Sequence, residues 1–307
     1  MLLSACEPAL EPADHFRVAS QGLISADLSP NGLKLAIGSF NHGGSLWSIQ
    51  DQSRDFNWNQ PGEDYSAFRL IRFSGDGQQV ASADKLALWD AKSGQSLRYW
   101  QAPHRILDLA ISANGTFALL ALENNRAVMF NLSRGGIIGY LDHKASVSQV
   151  AIDRDATLAV TGTVDGDLTF WSLENGTITY QQNFPRPVSF LALSPDGKLC
   201  VAGFYQGEVL LWNLKTHRPL TTLYTQSPGL ASAAFNAAGT RLLMGTAREY
   251  VELWSLSPAE RQARWKIPGD GPWHRAAAVA VGFTGDGRYL AAASDGMLYT
   301  LKQEGQK

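Results

Sequence analysis

The chain has 307 residues, 45% hydrophobic and 18% charged, with 29 Gly and 13 Pro, which suits one packed, turn-rich domain rather than a disordered chain. A formal net charge of -2 excludes a global basic field of the kind that holds a nucleic-acid backbone, so nucleic acid is not an expected partner. No apolar run reaches the roughly 18 residues a spanning helix needs, and two cysteines, Cys6 and Cys200, are too few for a disulfide framework or a cysteine-built zinc site.

At the amino terminus, Leu3-Ser4-Ala5-Cys6 resembles the bacterial lipobox, in which the Cys becomes the lipidated first residue of the mature chain. Met1 and Leu2 cannot supply the charged start and the roughly 7–15 apolar residues of a secretion signal, so the expectation is that the printed start lies inside a longer signal peptide, the alternative being a chance match in a cytoplasmic protein. Residues 7–14 then form an acidic, proline-containing tether, and the resemblance to bacterial lipoproteins, with Glu7 rather than Asp after the Cys, implies the periplasmic face of the outer membrane. Membrane contact is expected only through a lipid on Cys6.

The next segment, 16–19, reads as a spare strand ahead of the first inner strand at 23–28. From there a Ser-Pro-Asp-Gly-like turn recurs at 29–32, 74–77, 112–115, 153–156, 194–197, 236–239 and 284–287. Each turn precedes an apolar run, a second turn and an aromatic: Trp47, Trp89, Phe130, Trp171, Trp212, Trp254 and Tyr299, in steps of 42, 41, 41, 41, 42 and 45. A period near 40 with short strands between Gly, Asp and Pro turns predicts four strands per repeat, as at 188–193, 199–203, 209–212 and 219–224. Trp58, Trp100 and Trp265, each eleven residues after a repeat aromatic, are expected to cover the grooves between repeats, with Leu141 and Leu223 at the same position elsewhere. Cys200 reads as a small buried hydrophobe.

After the seventh third strand, at 298–301, six residues remain, too few for another strand and turn. The strand at 16–19 is therefore expected to complete the last sheet, closing the ring and removing an exposed edge. The result is an all-β, seven-bladed propeller of four-stranded blades over 16–301, with a tether at 1–15 and a tail at 302–307.

These features resemble the WD-repeat propeller family over 16–301, although the signature dipeptide occurs once, as Trp89-Asp90. In that family a His, a Ser or Thr, an Asp and the Trp of one blade form a hydrogen-bonded structural tetrad, and His143, Thr161, Asp165 and Trp171 look like that set. The resemblance implies a structural bond at Thr161 and not a nucleophile, since a catalytic hydroxyl belongs on an exposed, strained turn. The remaining histidines, His15, His42, His104, His217 and His274, show no paired ligand spacing, and no Gly-rich loop cradles a phosphate. No cofactor, no metal and no catalysis are expected.

The loops entering the inner strands share one face with the turns between second and third strands. They carry His104, Arg105, Lys144, Arg186, Tyr224, Trp273, His274 and Arg275, a basic and aromatic set of the kind enriched at protein interfaces. The expected function is that of a non-catalytic, monomeric scaffold presenting this face to a protein or peptide. The alternatives are a propeller enzyme or small-ligand binder using the central channel, favoured by a deep channel site with a strongly perturbed pKa, and an assembly factor for outer-membrane proteins.

Overall fold

The computed structural model describes residues 8–40, 43–59, 68–83, 85–225, 227–269 and 275–303. Among these the chain forms seven four-stranded antiparallel sheets. Six blades take four consecutive strands, as blade four does with Val147–Ile152, Leu158–Thr163, Asp167–Ser172 and Thr177–Asn183. The turns follow the repeat seen in the sequence: in each, the first side chain bonds back to the strand beyond, as Ser194 Oγ accepts the Leu199 N–H at 2.9 Å, and glycines such as Gly197 take positive φ.

Blade seven joins Ala278–Phe283, Tyr289–Ala293 and Met297–Leu301 to the amino-terminal strand Asp14–Arg17, so the ring closes as expected. The strand lies two residues earlier than the apolar pattern of 16–19 indicated, pairing Asp14 with Thr300 and Arg17 with Met297. Its ladder needs only backbone groups, whereas the Val18 and Ala19 N–H groups both donate to Gly296 O, at 2.8 and 3.1 Å, and turn the chain toward blade one. Upstream, the Leu10 N–H donates to Arg264 O at 2.8 Å and Leu10 O accepts the Lys266 N–H at 2.9 Å, so the segment anticipated as a tether is docked on blade six from Leu10 onward.

The core lies between blades. Trp58 of blade one is buried among Val80, Ala87 and Trp89 of blade two, stacking on Trp89 at 5.2 Å while its Nε1 donates to Gly94 O at 3.0 Å. Trp265 of blade six packs tilted against Tyr289 of blade seven at 5.3 Å while its Nε1 donates to Lys302 O at 2.9 Å, and Trp100 meets Phe130 of blade three edge-on at 5.3 Å. Leu141 and Leu223 fill the next-blade clusters at the equivalent position. Each fully buried indole represents about 4–6 kcal/mol of transfer free energy before ordering entropy is subtracted. Cys200 is wholly buried, and burial pushes its thiol far above the ordinary range.

Candidate functional site

In blade four the Trp171 Nε1 donates to Thr161 Oγ1 at 2.8 Å, and the His143 ring meets the indole edge-on at 5.3 Å. The other expected links of the tetrad are not made: the buried His143 Nε2 has no partner, and Asp165 accepts from the Thr163 hydroxyl instead. Burial holds the imidazole below its ordinary pKa against the opposing pull of Asp167, Asp142 and Asp165. Thr161 is fully buried on a regular strand, which leaves its hydroxyl no path to a substrate.

On the entering-loop face, His104 and Arg105 stand exposed before Ile106–Ile111, Lys144 before Val147–Ile152, and Arg275 before Ala278–Phe283. Trp273 and His274 lie outside the described residues, as does Cys6. Two of the cations carry carboxylate neighbours that come from other turns and strands: Arg186 bonds Glu208 at 2.7 Å and Gln206 at 3.0 Å, and Arg275 lies 3.7 Å from Glu249. The face is thus mixed in charge around Arg186 and Arg275.

Beyond Tyr224, the apolar exposure on this face at Tyr205 and Val164 was hidden from loop reading. Tyr205 and Val164, in the turns between second and third strands, are 63% and 48% exposed, and Tyr224 is 63% exposed opposite Glu208. Gly166 (φ 94°) allows the loop bearing Arg186 to lie on the blade-four turn, since a Cβ there would come 2.0 Å from Phe184 O. The Phe184 N–H donates to Gly166 O at 2.9 Å, fixing the loop's height.

The inner strands bound a channel. Ser25 Oγ donates to Phe68 O of the next blade at 2.6 Å, and Ser232 Oγ donates to Ala278 O at 2.6 Å. Asp27 accepts the N–H groups of Phe73 at 2.7 Å and Leu28 at 3.0 Å; Asp108 accepts the Val150 N–H at 3.0 Å and pairs with Arg72 at 3.2 Å. Burial outweighs the attraction of Arg72 and raises the Asp27 carboxyl to about 6, and it raises Asp108 as well. Blades three to six place Ala110, Ala151, Ala192 and Ala234 at the level of Asp27, so the ring is small and apolar apart from this corner.

At the mouth opposite the loop face, the turns between first and second strands surround a cavity of about 850 Å³, which continues into a channel space of about 240 Å³. Asp27 lines both. Among the described residues no group of three or more His, Cys, Asp or Glu side chains could hold a metal ion, and no helix is long and apolar enough to cross a membrane.

The family model for the WD domain, G-beta repeat (WD40) matches residues 137–172 and 177–213. These two stretches run from the outer strand of blade three to the third strand of blade five. No curated protein matches the chain.

Proposed function

We propose that this seven-bladed propeller, built on WD40 repeats, is a non-catalytic scaffold that binds a protein partner on its entering-loop face. Propellers of this repeat type commonly serve as protein-interaction scaffolds and are usually non-catalytic. The observation that carries the reading is the exposure of Tyr205 and Val164 on hydrogen-bonded turns, and of Tyr224 at the end of an outer strand, beside Arg186. Rigid aromatic side chains give contact area at low entropic cost, and Arg supplies a directional donor. Photo-crosslinking residues placed at 205 and 224, compared with 97 on the outer rim, test this in cells. Protein adducts are expected from the first two positions, with loss on Arg186→Glu; adducts from the rim alone would overturn it.

The same reading holds the chain at the periplasmic face of the outer membrane through a lipid on Cys6. It is supported by Leu3-Ser4-Ala5-Cys6 and by the docking of Leu10, four residues on, which would hold blade six close to the lipid surface. Expression with the upstream region intact, followed by mass measurement of the mature protein, should show lipid on the wild type and none on Cys6→Ser. Two unmodified soluble proteins would refute the anchor while leaving the binding face untouched.

A further inference from the structure

We propose that the cavity at the mouth opposite the entering loops is a binding site for a small organic cation, an ammonium group on an alkyl or aryl body, with the ammonium at Asp27. The cavity volume of about 850 Å³ lies within the span of small-molecule sites, roughly 300–1,000 Å³. Its inner wall is apolar, formed by the strand ends Leu28, Ile111, Ile152, Leu193, Phe235 and Phe283.

The charge at its inner end is unbalanced. Arg72 is the one cation beside Asp27 and Asp108, and it is held by Asp108 at 3.2 Å and by Ile71 O at 2.9 Å. The three groups sum to one negative charge when both carboxylates are ionised. Asp27 accepts two backbone N–H groups but no ion pair, and it opens on both the cavity and the channel. With its proton released above about pH 6, the group is an anion at neutral pH in a poorly solvated place, the setting in which a charge partner gains most.

The rest of the wall selects the ligand. A bare metal ion would find two separated carboxylates, Asp27 at the inner end and Asp153 at the mouth, the latter engaged by Thr157 and Leu158 and beside the Arg154 cation, a poor donor set. A cation with an apolar body satisfies Asp27 and covers the strand ends together, Phe235 and Phe283 among them. The mouth is preformed over blades two to four, where the Asp76 N–H donates to Ala113 O at 2.8 Å and the Ala113 N–H to Arg154 O at 3.0 Å. A small ligand therefore enters without remodelling the turns.

Calorimetric titration of the whole chain at pH 7.5 with phenethylammonium, and with phenethyl alcohol as its neutral counterpart, tests the site. Saturable binding of the amine is expected, weakened at least 10-fold in Asp27→Asn and at least 10-fold for the alcohol. Ala234→Leu, which adds bulk to the ring at the level of Asp27 and keeps the carboxylate, should abolish amine binding in a protein of unchanged melting temperature, and this arm decides the matter if Asp27→Asn fails to fold. Tyr205→Ala should leave amine binding unchanged, which separates this site from the loop face. No saturable binding, or equal binding by the wild type and Ala234→Leu, would overturn the proposal.

Discussion

The Trp171 indole N–H finds Thr161 Oγ1 at 2.8 Å, whereas one blade further on the Trp212 indole N–H is buried without a partner, because Ala202 stands where Thr161 stands in blade four. Blade two solves the same problem with Ser82, which accepts from Trp89 Nε1 at 2.9 Å, and blade six with Glu252, which accepts from Trp254. An unsatisfied buried donor costs about 1–3 kcal/mol. Thr161→Val should therefore lower stability by about 1–3 kcal/mol, and Ala202→Ser should raise it by about 0.5–1.5 kcal/mol. Urea midpoints of the two variants check both signs.

The indoles of the outer strands hold neighbouring blades together. Trp58→Ala removes the stack on Trp89 and the bond to Gly94 O and leaves a void between blades one and two, for an expected cost of about 3–5 kcal/mol. Trp265→Ala should match it at the junction of blades six and seven. A loss below 1 kcal/mol in either, by chemical denaturation, would show that these rings are not structural.

Asp27 should write itself into the pH dependence of stability. Its carboxyl holds a proton to about pH 6 in the folded chain, against an ordinary value of 3.8, so the native state binds more protons than the unfolded state between about pH 4 and 6. Stability contributed below pH 4 is then lost as pH rises through that window, by up to roughly 3 kcal/mol. His143 works oppositely, since its depressed value makes the folded state lose stability as pH falls below about 6.5. The difference between wild type and Asp27→Asn isolates the first effect: the wild type should lose ground relative to the variant from pH 4.5 to 7. A flat difference curve would remove the burial account of this group.

The closing strand supplies a fourth expectation. Deleting residues 1–17 strips Met297–Leu301 of its partner and exposes an unpaired edge beside a hydrophobic cluster. The shortened chain should elute as dimers or larger species and melt lower than the full chain. A stable monomer by light scattering would contradict the clasp.

The periodic aromatics were enough to read seven blades and the groove-covering role of Trp58, Trp100 and Trp265, because both depend on spacing and bulk. The closing strand was found but displaced toward the apolar residues Phe16 and Val18, since a ladder on an outer edge is made by backbone and is blind to that pattern. The loop face looked basic because Glu208 and Glu249, which neutralise Arg186 and Arg275, are contributed by different turns and strands. Asp27, Arg72 and Asp108 were not singled out from the sequence, although each is a charge inside an otherwise apolar inner strand. Their convergence required the ring, which brings residues 45 and 36 positions apart to one corner of the channel.

Asp14–Arg17 is synthesised well before its partner strand, which begins at Met297, 280 positions later. At about 5–20 residues per second, this short strand waits roughly 14–56 s for the ribosome to deliver the other half of its pair. Its composition suits the delay: Asp14, His15 and Arg17 are polar and exposed, and Phe16, half-buried against a core cluster once the strand is docked, is its one apolar side chain. A four-residue, charged segment is a weak template for wrong pairings. The ring is thus closed by a strand made long before its partner, and a nascent chain stalled between Ala293 and Met297 carries six complete sheets with an open seventh.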